Sequence, residues 1–130
     1  MLDFSLFPIE LKTSIKNMSN ANNQYRSSII SMLVGKLSSS IASAILGDEQ
    51  KQIFLNRLSV VDSDPHFMGL IDSISSLISS TDLKYILCFY IQMPPRDIAT
   101  VFNVDVHSIY TARYRIRKKL YDVNGTELFL

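Results

Sequence analysis

Between Val106 and Leu120 the chain carries five cations, Arg113, Arg115, Arg117, Lys118 and Lys119, and no Asp or Glu. They are interleaved with His107, Ser108, Tyr110, Thr111 and Tyr114. This mixture suits recognition of a polyanion better than bond-making. Cations neutralise phosphates and release their counterions. Short hydroxyl, imidazole and phenol groups reach phosphate oxygens or base edges. With 100° between residues, Ile109, Ala112, Ile116 and Leu120 fall on one side of a helix, with Arg113 at its edge. His107, Tyr110, Thr111, Tyr114 and Lys118 lie opposite, and Ser108, Arg115, Arg117 and Lys119 flank them. On a DNA duplex, His107, Tyr110, Thr111 and Tyr114 are expected near bases, and Arg115, Arg117 and Lys118 near phosphates. Ser108 is placed to bond a phosphate near the helix N-terminus. Arg113 points toward the core edge, where Asp97 is an alternative partner.

Other chemistries find little in the chain. No Gly-rich phosphate loop follows a strand, and His66 and His107 are isolated. No Cys–His or Ser–His constellation occurs, and no acidic pocket with a downstream Lys is visible. Asp62 and Asp64 lack further ligand spacing, so helix capping explains them better than a metal. No enzyme, cofactor or metal site is expected. The single cysteine, Cys88, sits in an apolar run and reads as a core residue, in keeping with a reducing cytoplasm.

The elements that position the basic helix can be read from cap and turn chemistry. Asp105 is a suitable N-cap for Val106–Leu120. Upstream, Pro95 fits the first helical position of a short helix ending at Phe102. Ile98, Ala99 and Phe102 share one side of it, joined by Val101. Asn103 suits a turn that needs positive φ, and Val104 is expected to plug that turn from the apolar side. Asp82–Gln92 is a very apolar helix capped by Ser80 or Thr81, and it forms the first helix of the unit. Two helices joined by a tight turn, the second basic, follow the plan of a helix-turn-helix.

The residues Arg96-Asp97-Ile98-Ala99, Asn103-Val104-Asp105, Ser108-Ile109 and Arg113-Tyr114-Arg115-Ile116-Arg117-Lys118-Lys119-Leu120 resemble the LuxR-type helix-turn-helix. The likeness is greatest to the variant of Bacteroidetes regulators. Upstream, Asp64-Pro65-His66-Phe67, Leu70 and Thr81-Asp82-Leu83-Lys84 extend the resemblance, which covers about residues 50 to 121. Two positions depart from the pattern: Pro94-Pro95 replaces the usual Ser-(Thr/Ser), and Ser80 replaces the usual Leu. The resemblance implies a transcription regulator, with Ile98 and Ala99 as the family's Ile-Ala pair and Asp105 in place of its Ser cap.

Toward the N-terminus, Met1–Phe7 reads as a strand or arm and Pro8–Met18 as a helix, with a break at Ser19–Asn23. Gln24–Leu46 reads as a long helix with an Ile30, Leu33, Leu37, Ile41 and Ala44 stripe, widened by Ile29, Met32, Ile45 and Leu46. Its opposite side is mostly serine, which suits either an ordinary core helix or a dimerisation or partner helix. Gly47 stops it and Asp48 caps a helix to Val61. Pro65 starts another, with Phe67, Leu70, Ile71, Ile74, Leu77 and Ile78 inward. Thr126 is a cap for a last short helix.

The chain has 130 residues, net charge +1 and 47% hydrophobic residues, enough for a core. Residues 1–80 carry six Lys or Arg against seven Asp or Glu; residues 81–130 carry seven against five. No apolar run approaches the ~20 residues of a membrane span, and no signal peptide is apparent.

The expected architecture is all-α. A helical packing or dimerisation region over 1–79 precedes a helix-turn-helix (winged-helix-like, LuxR-type) over 80–130. The expected function is a cytoplasmic DNA-binding transcription regulator, a homodimer on double-stranded DNA, open to control by a protein partner and without a membrane role. The alternatives are a helical protein-interaction adaptor with a basic helix, or a sigma-factor-like promoter-contact domain.

Overall fold

The computed structural model describes residues 28–130. The expectations for Met1–Phe7, Pro8–Met18, Ser19–Asn23 and the start of the long helix at Gln24 lie outside the described residues. The chain divides into two compact units, Met1–Met32 and Leu33–Leu130. In the first unit the described residues, 28–32, are helical. The second unit contains six helices, and no strand occurs among the described residues. The all-α expectation therefore holds, and no strand-built wing accompanies the helices there.

Helix α1 (33–43) buries Leu37 and Ile41. It stops short of the expected Leu46, because the Ala44 amide closes a tight turn on the Ile41 carbonyl at 3.2 Å. Ile45 consequently leaves the apolar stripe and is fully exposed. Met32, in the first unit, is exposed as well. Helix α2 (Asp48–Leu58) starts after Gly47 with Asp48 and Glu49 in its first turn and ends with Arg57 in its last. These charges match the helix dipole. Asp48 is thus the first helical residue and not the cap. A short 3₁₀ turn, Val61–Ser63, ends the segment expected to be helical through Val61.

Asp64 caps helix α3 (Pro65–Ile74) as the composition implies: its Oδ1 accepts the His66 amide at 2.9 Å and the Phe67 amide at 3.4 Å. Phe67, Leu70, Ile71 and Ile74 are buried. The helix ends there, so Leu77 is exposed instead of continuing the stripe.

Helix α4 (Ser80–Tyr90) is capped by Ser79, one residue before the expected caps. Ser79 Oγ accepts the Asp82 amide and Asp82 Oδ2 accepts the Ser79 amide, a reciprocal capping box. Leu83, Ile86, Leu87, Cys88 and Phe89 are all buried, which explains the apolar sequence. The helix stops two residues earlier than expected. Gln92 takes a left-handed φ of 63°, and the Met93 amide bonds back to the Cys88 carbonyl at 3.0 Å. Ile91 and Met93 are buried around this turn, which holds a non-glycine residue where glycine is usual.

Several ties join α2 and α3 to α4. Arg57 Nη1 donates to the Ile91 carbonyl at 3.0 Å. The Tyr90 hydroxyl donates to Asp64 Oδ2 at 2.7 Å, and the Tyr90 ring lies 4.7 Å from that of Phe67. These ties cross the 79/80 boundary expected from the sequence.

Helix α5 (Pro95–Phe102) and helix α6 (Val106–Lys119) follow. Pro95 is at N1, and Ile98 and Ala99 are buried. Asn103 adopts φ 53° and ψ 50°, the left-handed turn its residue type predicts. The Val104 amide then bonds to the Ala99 carbonyl at 3.0 Å. This bond turns Val104 outward, so it is exposed and does not plug the turn. After α6 the tail returns: Leu120, Thr126 and Leu130 are buried, and Phe129 meets the Tyr90 ring edge-on at 5.4 Å. Gly125, at φ 96°, precedes the 3₁₀ turn Thr126–Leu128. Thr126 follows that N-cap position, and its hydroxyl donates to the Val123 carbonyl.

Candidate nucleic-acid interface

Helix α6 begins at Asp105, whose carboxylate accepts the His107 amide at 2.7 Å. Ile109, Ala112 and Ile116, with Leu120 just past the helix, are buried as the wheel predicts. Burying one such isoleucine is worth about 1.5–3 kcal/mol, so this side fixes the rotation of α6. The opposite face is then obliged to meet solvent. Tyr110 is 50% exposed and Tyr114 67%. His107, Thr111 and Lys118 are exposed beside them.

The eight predicted contact residues do not form one cluster; they occupy three sectors around α6. Tyr110, Tyr114 and Lys118 point outward, and no hydrogen bond or ion pair engages their side chains among the described residues. His107, Ser108, Thr111 and Arg115 line an open groove of about 470 Å³ together with Thr81 and Tyr85 of α4. Arg117 lies on the other flank, in an open groove of about 310 Å³ shared with Arg113 and the tail residues Leu128, Phe129 and Leu130.

The charges on these flanks are arranged unequally. Arg115 Nη2 is 2.8 Å from Asp82 Oδ1, and Lys119 Nζ is 2.7 Å from Asp82 Oδ2. Asp82 is buried, so its desolvation favours the neutral acid. The Lys119 ammonium, the Ser79 amide and the Arg115 guanidinium outweigh that effect and hold its pKa at about 2. Arg113 does not pair with Asp97. Its Nε donates to the Leu130 carbonyl at 2.9 Å and its guanidinium lies 5.9 Å from the Phe89 ring, because the tail occupies that side of the helix. Arg117 and Lys118 have no acidic partner among the described residues.

Asp82 and Lys119 were not among the candidates read from the sequence. The available signal was an acid at the third position after a Ser cap, in a helix too apolar to leave that acid in water. Burial pushes the Cys88 thiol up to about 12, which makes it a poor nucleophile and supports its reading as a core residue. No group of three or more His, Cys, Asp or Glu side chains able to hold a metal occurs among the described residues. No helix among them is long and apolar enough to cross a membrane. An open groove of about 820 Å³ between the end of α1 and α5 holds none of the predicted contact residues.

Comparison with protein families, with curated proteins and with solved structures finds no match. The functional reading therefore rests on the geometry of α5 and α6 and on the residues they display.

Proposed function

We propose that this chain is a DNA-binding transcription regulator that lays α6 in the major groove of duplex DNA. In this reading α5, the Asn103 turn and α6 form a helix-turn-helix of LuxR type, with α4 behind them. The observation that carries the proposal is the exposed face of α6, with Tyr110, Tyr114 and Lys118 outward and His107 and Thr111 along the adjoining groove, on a helix whose other side is anchored by Ile109, Ala112 and Ile116. A helix about 10–12 Å across fits a major groove ~12 Å wide. The tyrosines, His107 and Thr111 offer groups for base edges, and Lys118 and Arg117 offer charge for phosphates. Among the described residues the Tyr110 and Tyr114 hydroxyls have no hydrogen-bond partner, which suits an intermolecular one. A cytoplasmic location and a dimeric form belong to the same proposal, the latter to be read from the symmetry of the bound site.

The test is a fluorescence-anisotropy titration of a labelled duplex with the wild-type chain and with Tyr114→Ala/Lys118→Ala. Both residues are exposed, so the variant keeps its fold. Its affinity is expected to fall at least tenfold, equivalent to about 1.4 kcal/mol. Equal affinity for wild type and variant would place the contact elsewhere.

A further inference from the structure

We infer that Asp82 limits the phosphate-binding charge of α6: by holding Arg115 and Lys119 against the start of α4, it keeps both from the DNA backbone and so restrains sequence-independent binding. This rests on the DNA-binding reading of α6.

Arg115 and Lys119 are one helical turn apart and share one flank of α6. Both converge on a single carboxylate, and each takes a different oxygen. Capping alone does not require this. Any side chain that accepts the Ser79 amide completes the capping box, and an amide serves as well as an acid. Neutrality does not require it either, since one cation balances one carboxylate. The second cation is surplus to both needs, yet it is held at 2.7 Å. The two cationic side chains are 47% and 39% exposed while the carboxylate is buried. Released from Asp82, both would reach solvent and any phosphate beside the groove lined by Thr81, Tyr85, Thr111 and Arg115. Asp82 touches no DNA in this scheme. It is a positioning residue whose effect is on how many phosphates α6 neutralises.

That number is read from salt dependence. Each phosphate neutralised adds about 0.9 to the slope of log K against log salt on duplex DNA. The experiment titrates the full chain against a random-sequence duplex across a range of potassium chloride concentrations, comparing wild type, Asp82→Asn and Lys119→Gln. Asp82→Asn is expected to steepen the slope by about 1–2 and to bind the random duplex about tenfold more tightly at low salt. Lys119→Gln is expected to leave the slope unchanged, because Lys119 is not a phosphate ligand. A merely structural role for Asp82 would weaken binding without steepening the slope. An unchanged slope in Asp82→Asn, or a slope lowered by about 0.9 in Lys119→Gln, overturns the inference. If circular dichroism shows Asp82→Asn unfolded, Lys119→Gln, which retains the Arg115–Asp82 pair, decides alone. Wild-type protein that binds no duplex at all removes the DNA reading and this inference together. Wild-type binding with an unaltered Asp82→Asn slope removes only the inference.

Discussion

At the scale of the residue, Asp82 and Asn103 make two different demands on the fold, one electrostatic and one of backbone conformation. The Asp82 carboxyl is held at about 2, below its ordinary 3.8. A depressed carboxyl stabilises the folded state above its unfolded pKa and loses that contribution as pH falls through the folded one. The two cations are half exposed, which screens the pairing, so the contribution is about 1–2 kcal/mol near neutrality. Urea unfolding should show Asp82→Asn less stable by that amount at pH 7. The difference should shrink between pH 4 and pH 2, and a gap independent of pH would contradict the ion-pair account. Asn103 makes a different demand, since its left-handed backbone disfavours residues with a branched Cβ. Asn103→Gly is expected to change stability by only a few tenths of a kcal/mol, and Asn103→Val to cost about 1–2 kcal/mol, by the same denaturation measurement. Asn103 was legible in the sequence because the turn selects a residue type. Asp82 was not, because its two partners lie 33 and 37 positions away and no local pattern joins them.

At the scale of the element, α6 divides its residues between anchoring and display. Ile116 is fully buried, so Ile116→Ala is expected to cost about 2–4 kcal/mol in chemical denaturation. Tyr114→Ala should change stability by less than about 0.5 kcal/mol, and under the DNA reading its effect appears in binding. Equal destabilisation by both would mean that the two faces are not distinct. The apolar side of α6 followed directly from helical spacing, and the helix starts at Asp64, Pro65, Pro95 and Asp105 followed from cap and proline chemistry. Helix ends were read less well. The end of α1, Leu77 after α3, and the Gln92 turn all depend on where packing stops. At Gln92 a glutamine occupies a left-handed position because Ile91 and Met93 are buried on either side of it. The outward turn of Val104 likewise depends on a backbone bond to Ala99 that residue type does not announce.

At the scale of the molecule, the helices preceding α4 belong with it. Arg57 bonds to the Ile91 carbonyl, and Tyr90 bonds to Asp64 while packing on Phe67. A fragment of residues 80–130 should therefore lose these ties and unfold without a cooperative transition. A sharp melt at the full chain's midpoint would contradict this. The 79/80 boundary expected from the sequence marks where charge and motif content change, and these ties cross it.

The central claim is that the outward face of α6 reads duplex DNA. Its most direct test is selection of bound duplexes from a random pool, with wild type beside Arg117→Ala/Lys118→Ala. These two cations are chosen because neither is tied to Asp82, whereas Arg115 is, and removing Arg115 would disturb α4 as well. The account predicts an enriched site for wild type, about 4–10 kcal/mol better bound than bulk DNA, and weaker recovery of it by the variant. A palindromic site would report a dimer. Well-folded wild-type protein that enriches no site would contradict the account and leave the basic helix to an acidic protein partner.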